Sequence, residues 1–416
     1  MANKLSNKKV ILASMVGNTL EFYDFSLFVF LSPILAPLFF PASDPLISLI
    51  ATLATYGVGY FMRPLGAIFF GHLGDKYGRK YALSFSIILM AIPTLLIAFL
   101  PTYAQIGKTA SLTLIILRLI QGFCAGGEFN GAGIFVVENT QQKNSFYGSL
   151  ISSSTAIGGL LGSCISSIAT LPGMPSWSWR IAFMLGGVVG IIGLYMRRQL
   201  IETPVDSQVE EKRLTTSPLL HSLKTAYPQI LATIGIAAFA GSMYHLSVYY
   251  ISVFLATHAE WQLSNSLLLM SIGTVVYIFM VPFFGYLADK YGNKRVKLTG
   301  AWATLLSIYP LFSLLLSATS FYQAMAIQIC LALLSAWFQA PMTAYLAKLF
   351  PLNIRYSGLA FGYNIGIALF GGSTPLICSL LIRWTGSSMM PAFYIIVMAI
   401  VGICAVRFSK ERESFA

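Results

Sequence analysis

Only 10% of the 416 residues are charged, so the few side chains able to do acid–base chemistry stand out by where they fall. Glu21 and Asp24 lie inside an apolar run over about 10–37, and Arg118 and Glu128 inside another over about 111–137. An ionisable group in hydrocarbon costs on the order of 2.5–3.5 kcal/mol on insertion scales, so it faces a partner or a cavity. A carboxyl group in apolar surroundings holds its proton tightly and a nearby guanidinium loosens it. An arginine that moves between partners can therefore drive proton uptake and release. Glu21 and Asp24 are one helical turn apart and can share a cavity, while Arg118, Gln121 and Glu128 form a polar stripe on one helix face. With successive runs antiparallel and ~1.5 Å per residue, Asp24 and Arg118 both stand about 20 Å above the side where the chain starts. That common depth, with the turn from Glu21 to Asp24 and the stripe running on to Glu128, makes Asp24, Glu21, Arg118 and Glu128 the candidates for proton coupling, though Glu128, nearer the end where the chain starts, could instead help to close that end. A fixed ion pair joining two helices would use the same residues.

The second half of the chain has almost no charge within its apolar runs, and His245 is the exception. It reads either as a hydrogen-bonded core histidine or as a ligand for solute or proton. Tyr244, Gln339, Tyr363 and Asn364 fall near mid-depth and, with Arg118 and Gln121, could orient a small solute. Trp337, Phe22 and Phe25 could offer faces to a quaternary ammonium, although most aromatics, at 14% of the chain, serve the core or lipid. No Gly-x-Ser-x-Gly or His-Glu-x-x-His sequence occurs, and Thr102 stands where a phosphate loop ending at Gly107-Lys108-Thr109 needs its first glycine. Hydrolase and ATP-driven chemistries are thereby set aside, and no cofactor is expected beyond a proton gradient. The five cysteines show no metal spacing and read as small buried apolar residues.

The elements that hold these residues are long and apolar. Hydrophobic residues make up 56% of the chain and the mean hydropathy is +0.75, which excludes a soluble enzyme. Twelve candidate spans are read over about 10–37, 46–72, 81–101, 111–137, 147–170, 180–197, 229–256, 265–288, 297–318, 321–346, 356–382 and 389–408. The first is too long for a signal peptide, lacks a small-x-small cleavage site and is expected to remain as a span. The one sizeable polar stretch, 198–228, divides the chain into halves 1–197 and 229–416. With an even number of spans, 21 of the 26 Lys and Arg fall on the side of the termini and three on the other. This asymmetry puts both termini in the cytoplasm and accounts for the net charge of +12 without nucleic acid. The halves also repeat: Gly71-His72-Leu73-Gly74-Asp75-Lys76-Tyr77-Gly78-Arg79-Lys80 returns 214 positions later as Gly285-Tyr286-Leu287-Ala288-Asp289-Lys290-Tyr291-Gly292-Asn293-Lys294.

At these loops the sequence resembles the major facilitator superfamily, and within it the metabolite:proton symporters, which include carriers of proline and betaine, 2-oxoglutarate, shikimate and citrate. The supporting stretches are Gly17-Asn18-Thr19-Leu20-Glu21-Phe22-Tyr23-Asp24-Phe25, Arg63-Pro64-Leu65-Gly66, Arg118-Leu119-Ile120-Gln121-Gly122, Trp179-Arg180, Glu202-Thr203-Pro204 and Arg355-Tyr356-Ser357-Gly358. The resemblance implies an all-α membrane protein of two six-helix bundles working by alternating access. It brings the first and fourth spans together around a cavity. It also implies a latch in which Asp75, Arg79, Glu138 and Asp289 hold one state, each Asp bonding the N-terminus of a neighbouring helix. Asn293 replaces the arginine of the first loop, which points to a weaker latch in that half. The expected function is import of a small organic solute with protons, in a bacterial inner membrane and as a monomer. The mixed inner charge leans towards a zwitterion such as proline or a betaine. A mono- or dicarboxylate symporter, an exporter or uncoupled facilitator, and a non-transporting membrane sensor are the alternatives.

Overall fold

The computed structural model describes residues 2–77, 79–126, 133, 137, 143–198, 223, 225–259 and 261–411. Among them there is no strand, and each apolar stretch read from the sequence holds helix. In the first half these are α1 (Ala2–Phe30), α2 (Ser32–Phe39), α3 (Pro45–Tyr77), α4 (Arg79–Phe99), α5 (Lys108–Cys124), α6 (Asn144–Ala169) and α7 (Trp179–Arg198). The second half has α8 (Tyr227–His245), α9 (Ile251–His258), α10 (Leu263–Tyr291), α11 (Asn293–Leu316) and α12 (Phe321–Gln339). It ends with α13 (Met342–Ala347), α14 (Leu352–Gly366), α15 (Thr374–Thr385) and α16 (Met390–Phe408). Among the described residues eight helices are long and apolar enough to cross a membrane, nine if α1 and α2 count as one bent span. Leu65, Ile68, Leu306 and Phe279 are among the large apolar side chains left on the outside, as a lipid-facing surface requires.

The first span, expected to be continuous, bends by 64° between α1 and α2. Pro33 explains the break, since a proline in the first turn of α2 removes a helical donor and crowds the turn before it. Two short π-helical segments, Leu246–Tyr250 and Ile367–Gly371, join α8 to α9 and continue α14. Within the first half α1 packs on α6, α4 on α7 and α3 on α5; within the second, α8 packs on α14 and α16, and α10 on α12. The α3–α5 contact is backbone against backbone. A Cβ on Gly66 would stand 1.7 Å from the Phe123 carbonyl oxygen, and one on Gly122 1.8 Å from that of Gly59. Small residues allow this approach and nothing larger fits. Of the five cysteines only Cys124 and Cys378 are buried; Cys164, Cys330 and Cys404 face outwards, so the expectation of five buried thiols is corrected.

The two halves meet most extensively along α6 and α10. At the end where the chain starts, both carboxylate oxygens of Asp289 accept backbone N–H bonds at the start of α6, from Ser145 and Phe146, each at 2.9 Å. Asn293 adds a bond there, its Oδ1 accepting from Ser145 Oγ at 2.6 Å. At the opposite end Arg383 on α15 pairs with Asp44, between α2 and α3. That guanidinium and the Leu46 N–H hold the Asp44 carboxyl below the usual carboxylate range. The halves therefore touch at both ends.

Candidate solute and proton site

Glu21, Asp24 and the phenyl rings between them are presented by the deepest part of α1, where all are buried. The two carboxylates have different partners. Glu21 forms an ion pair with Arg63 on α3. Asp24 makes no direct ion pair among the described contacts. Its Oδ1 accepts from Thr94 Oγ1 on α4 and its Oδ2 from Gln121 Nε2 on α5, both at 2.7 Å. Gln121 turns its amide oxygen to Arg118, accepting from one guanidinium nitrogen at 2.9 Å. Asp24 and Arg118 thus share one network with Gln121 as the bridge.

Arg118 is fully buried, with its centre 4.5 Å from the Phe28 ring, 4.8 Å from Phe25 and 5.7 Å from Tyr56. Its Nε and second terminal nitrogen have no hydrogen-bond partner. Ring faces attract a guanidinium, and desolvation strengthens that attraction. They do so without fixing the cation to one acceptor, as a second carboxylate would. Arg63 has a similar setting, 4.9 Å from the Tyr60 ring and 5.1 Å from Phe25, with Nε also without a partner.

Two cavities of about 20 Å³ flank α1, each room for about one water. Glu21, Asp24, Thr94 and Cys124 line the first, between α1, α4, α7 and the end of α5. The second lies where the halves meet and is lined by Arg63, Tyr244, His245, Tyr277, Gln339 and Tyr363, with Phe22 from α1. His245 crosses to the other half. Its Nδ1 lies 2.8 Å from the Gly241 carbonyl oxygen, which can only accept, so the proton is on Nδ1. In the neutral ring Nε2 then accepts from the Tyr60 hydroxyl at 3.1 Å, and Tyr60 accepts in turn from Tyr56 at 3.0 Å.

Tyr244, His245, Gln339 and Tyr363 therefore come together in the central cavity. Arg118 and Gln121 do not line it and stay with Asp24. Trp337 is also apart, stacked on Phe284 at 5.1 Å and packed over Gly300. Asn364 reaches towards the Gly126 carbonyl oxygen at 3.5 Å. Phe25 lies under Arg63 and Arg118 rather than in the cavity. Glu128 and Glu138, with the side chains of Asp75 and Arg79, lie outside the described residues. Sequence reasoning assigned no role to Arg63, Tyr56, Tyr60 or Thr94. Arg63 could have been found by the argument used for Arg118, since it too is a cation inside an apolar run.

The model of the Major Facilitator Superfamily matches residues 14–280 and, in a second overlapping match, 234–415. The chain is 34% identical over 419 residues to the glycine betaine/proline/ectoine/pipecolic acid transporter OusA of Dickeya dadantii, with 97% of this chain and 83% of that protein covered. Identity and coverage are the same for the proline/betaine transporter of Escherichia coli. Among solved structures, the xylose transporter XylE of E. coli in a partially occluded inward-open conformation superposes with a TM-score of 0.76 at 15% identity, over 99% of both chains.

Proposed function

The chain belongs to the major facilitator superfamily, and from that premise we propose that it imports a small zwitterion of the proline or betaine kind together with protons. It is an integral membrane protein, and we read its helices as twelve spans in two six-helix halves, 1–197 and 229–416, joined by a linker over 198–228, with both termini cytoplasmic. The observation that supports solute transport most directly is the central cavity. It lies between the halves, and one cation, aromatic rings, phenol hydroxyls and a histidine line it. Such a set matches a solute with one carboxylate and one bulky ammonium. The similarity to relatives named for proline and betaine agrees with that chemistry.

Asp24 is the proton-coupling group in this reading. It faces its own small cavity, and its partner Gln121 can bond either form of the acid. Arg118 stands behind Gln121 as a cation held by rings, and Asp289 is the latch at the cytoplasmic end. Closure at both ends and water-sized cavities match an occluded intermediate of alternating access.

The test is reconstitution of the purified protein in liposomes with an inward proton gradient. Labelled glycine betaine or L-proline should accumulate above equilibrium, and a protonophore should abolish that accumulation. Uptake of a dicarboxylate instead would move the assignment to the organic-acid carriers, and binding without counterflow would make the protein a sensor.

A further inference from the structure

Glu21 and Arg63 form the partition between the two cavities. Glu21 lines the one that contains Asp24, its partner Arg63 lines the central one, and the ion pair between them passes beside α1. Arg63 is the one Lys or Arg side chain among the described residues lining the central cavity. It is 3% exposed, its Nε has no partner, and the rings of Phe22, Phe25 and Tyr60 surround its centre at 4.9–5.5 Å. Arg118, the other buried guanidinium of this region, lines neither cavity.

We propose that Arg63 is the anchor for the carboxylate of the transported solute, and that the solute competes with Glu21 for it. This rests on the transport reading above and assigns the recognition step within it. An arginine holds two carboxylates in turn more readily than it leaves one, because its fork presents several donors and its ring neighbours favour the cation without using them. The ammonium end of the solute then faces the rings of Tyr244, Tyr277 and Tyr363, which line the same cavity. Glu21 occupies the anchor in the empty protein, so a buried charge is never left alone between transport cycles.

The test compares glycine betaine, L-proline and choline, which retains the quaternary ammonium but lacks the carboxylate, by calorimetric titration of the full chain in nanodiscs. Arg63→Gln alone removes the cation that pairs with the buried Glu21 and is liable to misfold, so the decisive variant is Arg63→Gln with Glu21→Gln, which neutralises both members of the pair. That double variant should lose glycine betaine affinity by roughly 30-fold or more and keep its choline affinity, so that discrimination between the two collapses. Glu21→Gln alone should bind glycine betaine more tightly than the parent, because the competitor is gone. A folded double variant that prefers glycine betaine over choline as the parent does overturns the anchor while leaving the transport reading intact. A parent that binds neither glycine betaine nor L-proline overturns the transport reading, and the anchor with it.

Discussion

Replacing Asp289 by Asn should open the end of the protein where the chain starts. The carboxylate accepts two backbone N–H bonds of 2.9 Å at the start of α6, where the helix dipole is positive. Bonds to a charged acceptor contribute about 1.5–3 kcal/mol when buried, but Asp289 is exposed, so the low end applies. Asn retains one acceptor, turns an amide N–H towards the other donor and loses the charge. The expected loss is about 1–1.5 kcal/mol, or a roughly tenfold shift of population towards the state open at that end. Spin labels at Tyr81→Cys and Tyr291→Cys, both exposed positions near that end, report the separation of the halves by pulsed electron resonance. A cysteine-free background is needed because three native thiols face outwards. The mutant should gain a longer-distance population, and Asp289→Glu, which keeps the charge, should gain less. Distance distributions that are the same in parent and Asn variant would show that the contact is too weak to hold the halves and would end its role as a latch.

Asp24→Asn should abolish proton-driven accumulation and retain exchange of internal for external glycine betaine, and loss of both in a folded protein would make Asp24 a binding or structural group. At the opposite end, Asp44 is held below its ordinary value of 3.8 by Arg383, so their pairing is present above that value and lost as pH falls through the lowered one. Spin-label distances there should be constant from neutral pH down to that value and lengthen only below it, and Arg383→Gln should remove the acid transition. Tyr60→Phe deletes the donor to His245 and should weaken that contact between halves by about 1 kcal/mol, read as a several-fold change in counterflow rate. Gly122→Ala puts a methyl group into the Gly59 carbonyl and should destabilise the α3–α5 pair by about 1–3 kcal/mol, seen as a lower melting temperature. An unchanged melting temperature would mean that the two helices separate without cost.

Helix positions were legible because hydrophobic runs of this length allow little else, and most observed edges lie within a few residues of those read from hydropathy. Charges at helix ends were harder to place. Lys297 reads as the first residue of its apolar run, yet α11 already starts one turn earlier, at Asn293. Lys297 is consequently fully buried, with Nζ 2.9 Å from the Phe338 carbonyl oxygen and 4.0 Å from that ring's centre. Depth along two helices suggested that Asp24 and Arg118 are neighbours. It could not show that Gln121, one turn from Arg118, stands between them, because the angle at which two helices face each other is a tertiary property. For the same reason Glu21 and Asp24, with similar local sequence, gave no hint that one pairs with α3 and the other with α4 and α5. Asp289 was more legible. Its repeated loop singled out the residue and the family resemblance implied the kind of partner, while Asn293, expected to mark a weaker contact, contributes a bond of its own.

The π segments after His245 and Gly366 have a consequence for how the second half can move. In each, a carbonyl accepts from five residues ahead, Leu246 from Ile251 and Ile367 from Gly372, so the turn contains one residue more than an α turn. A surplus residue advances everything beyond it by about 100° relative to an uninterrupted helix. If the surplus migrates by a turn, the residues it passes swing round the axis while the helix ends stay in place. Tyr249 and Tyr250 lie within the first of these segments, beside the histidine that bridges to Tyr60. Such a shift would turn the residues of 246–250 about the helix axis without hinging a whole bundle, and deleting one residue from that segment would fix the register and remove that freedom.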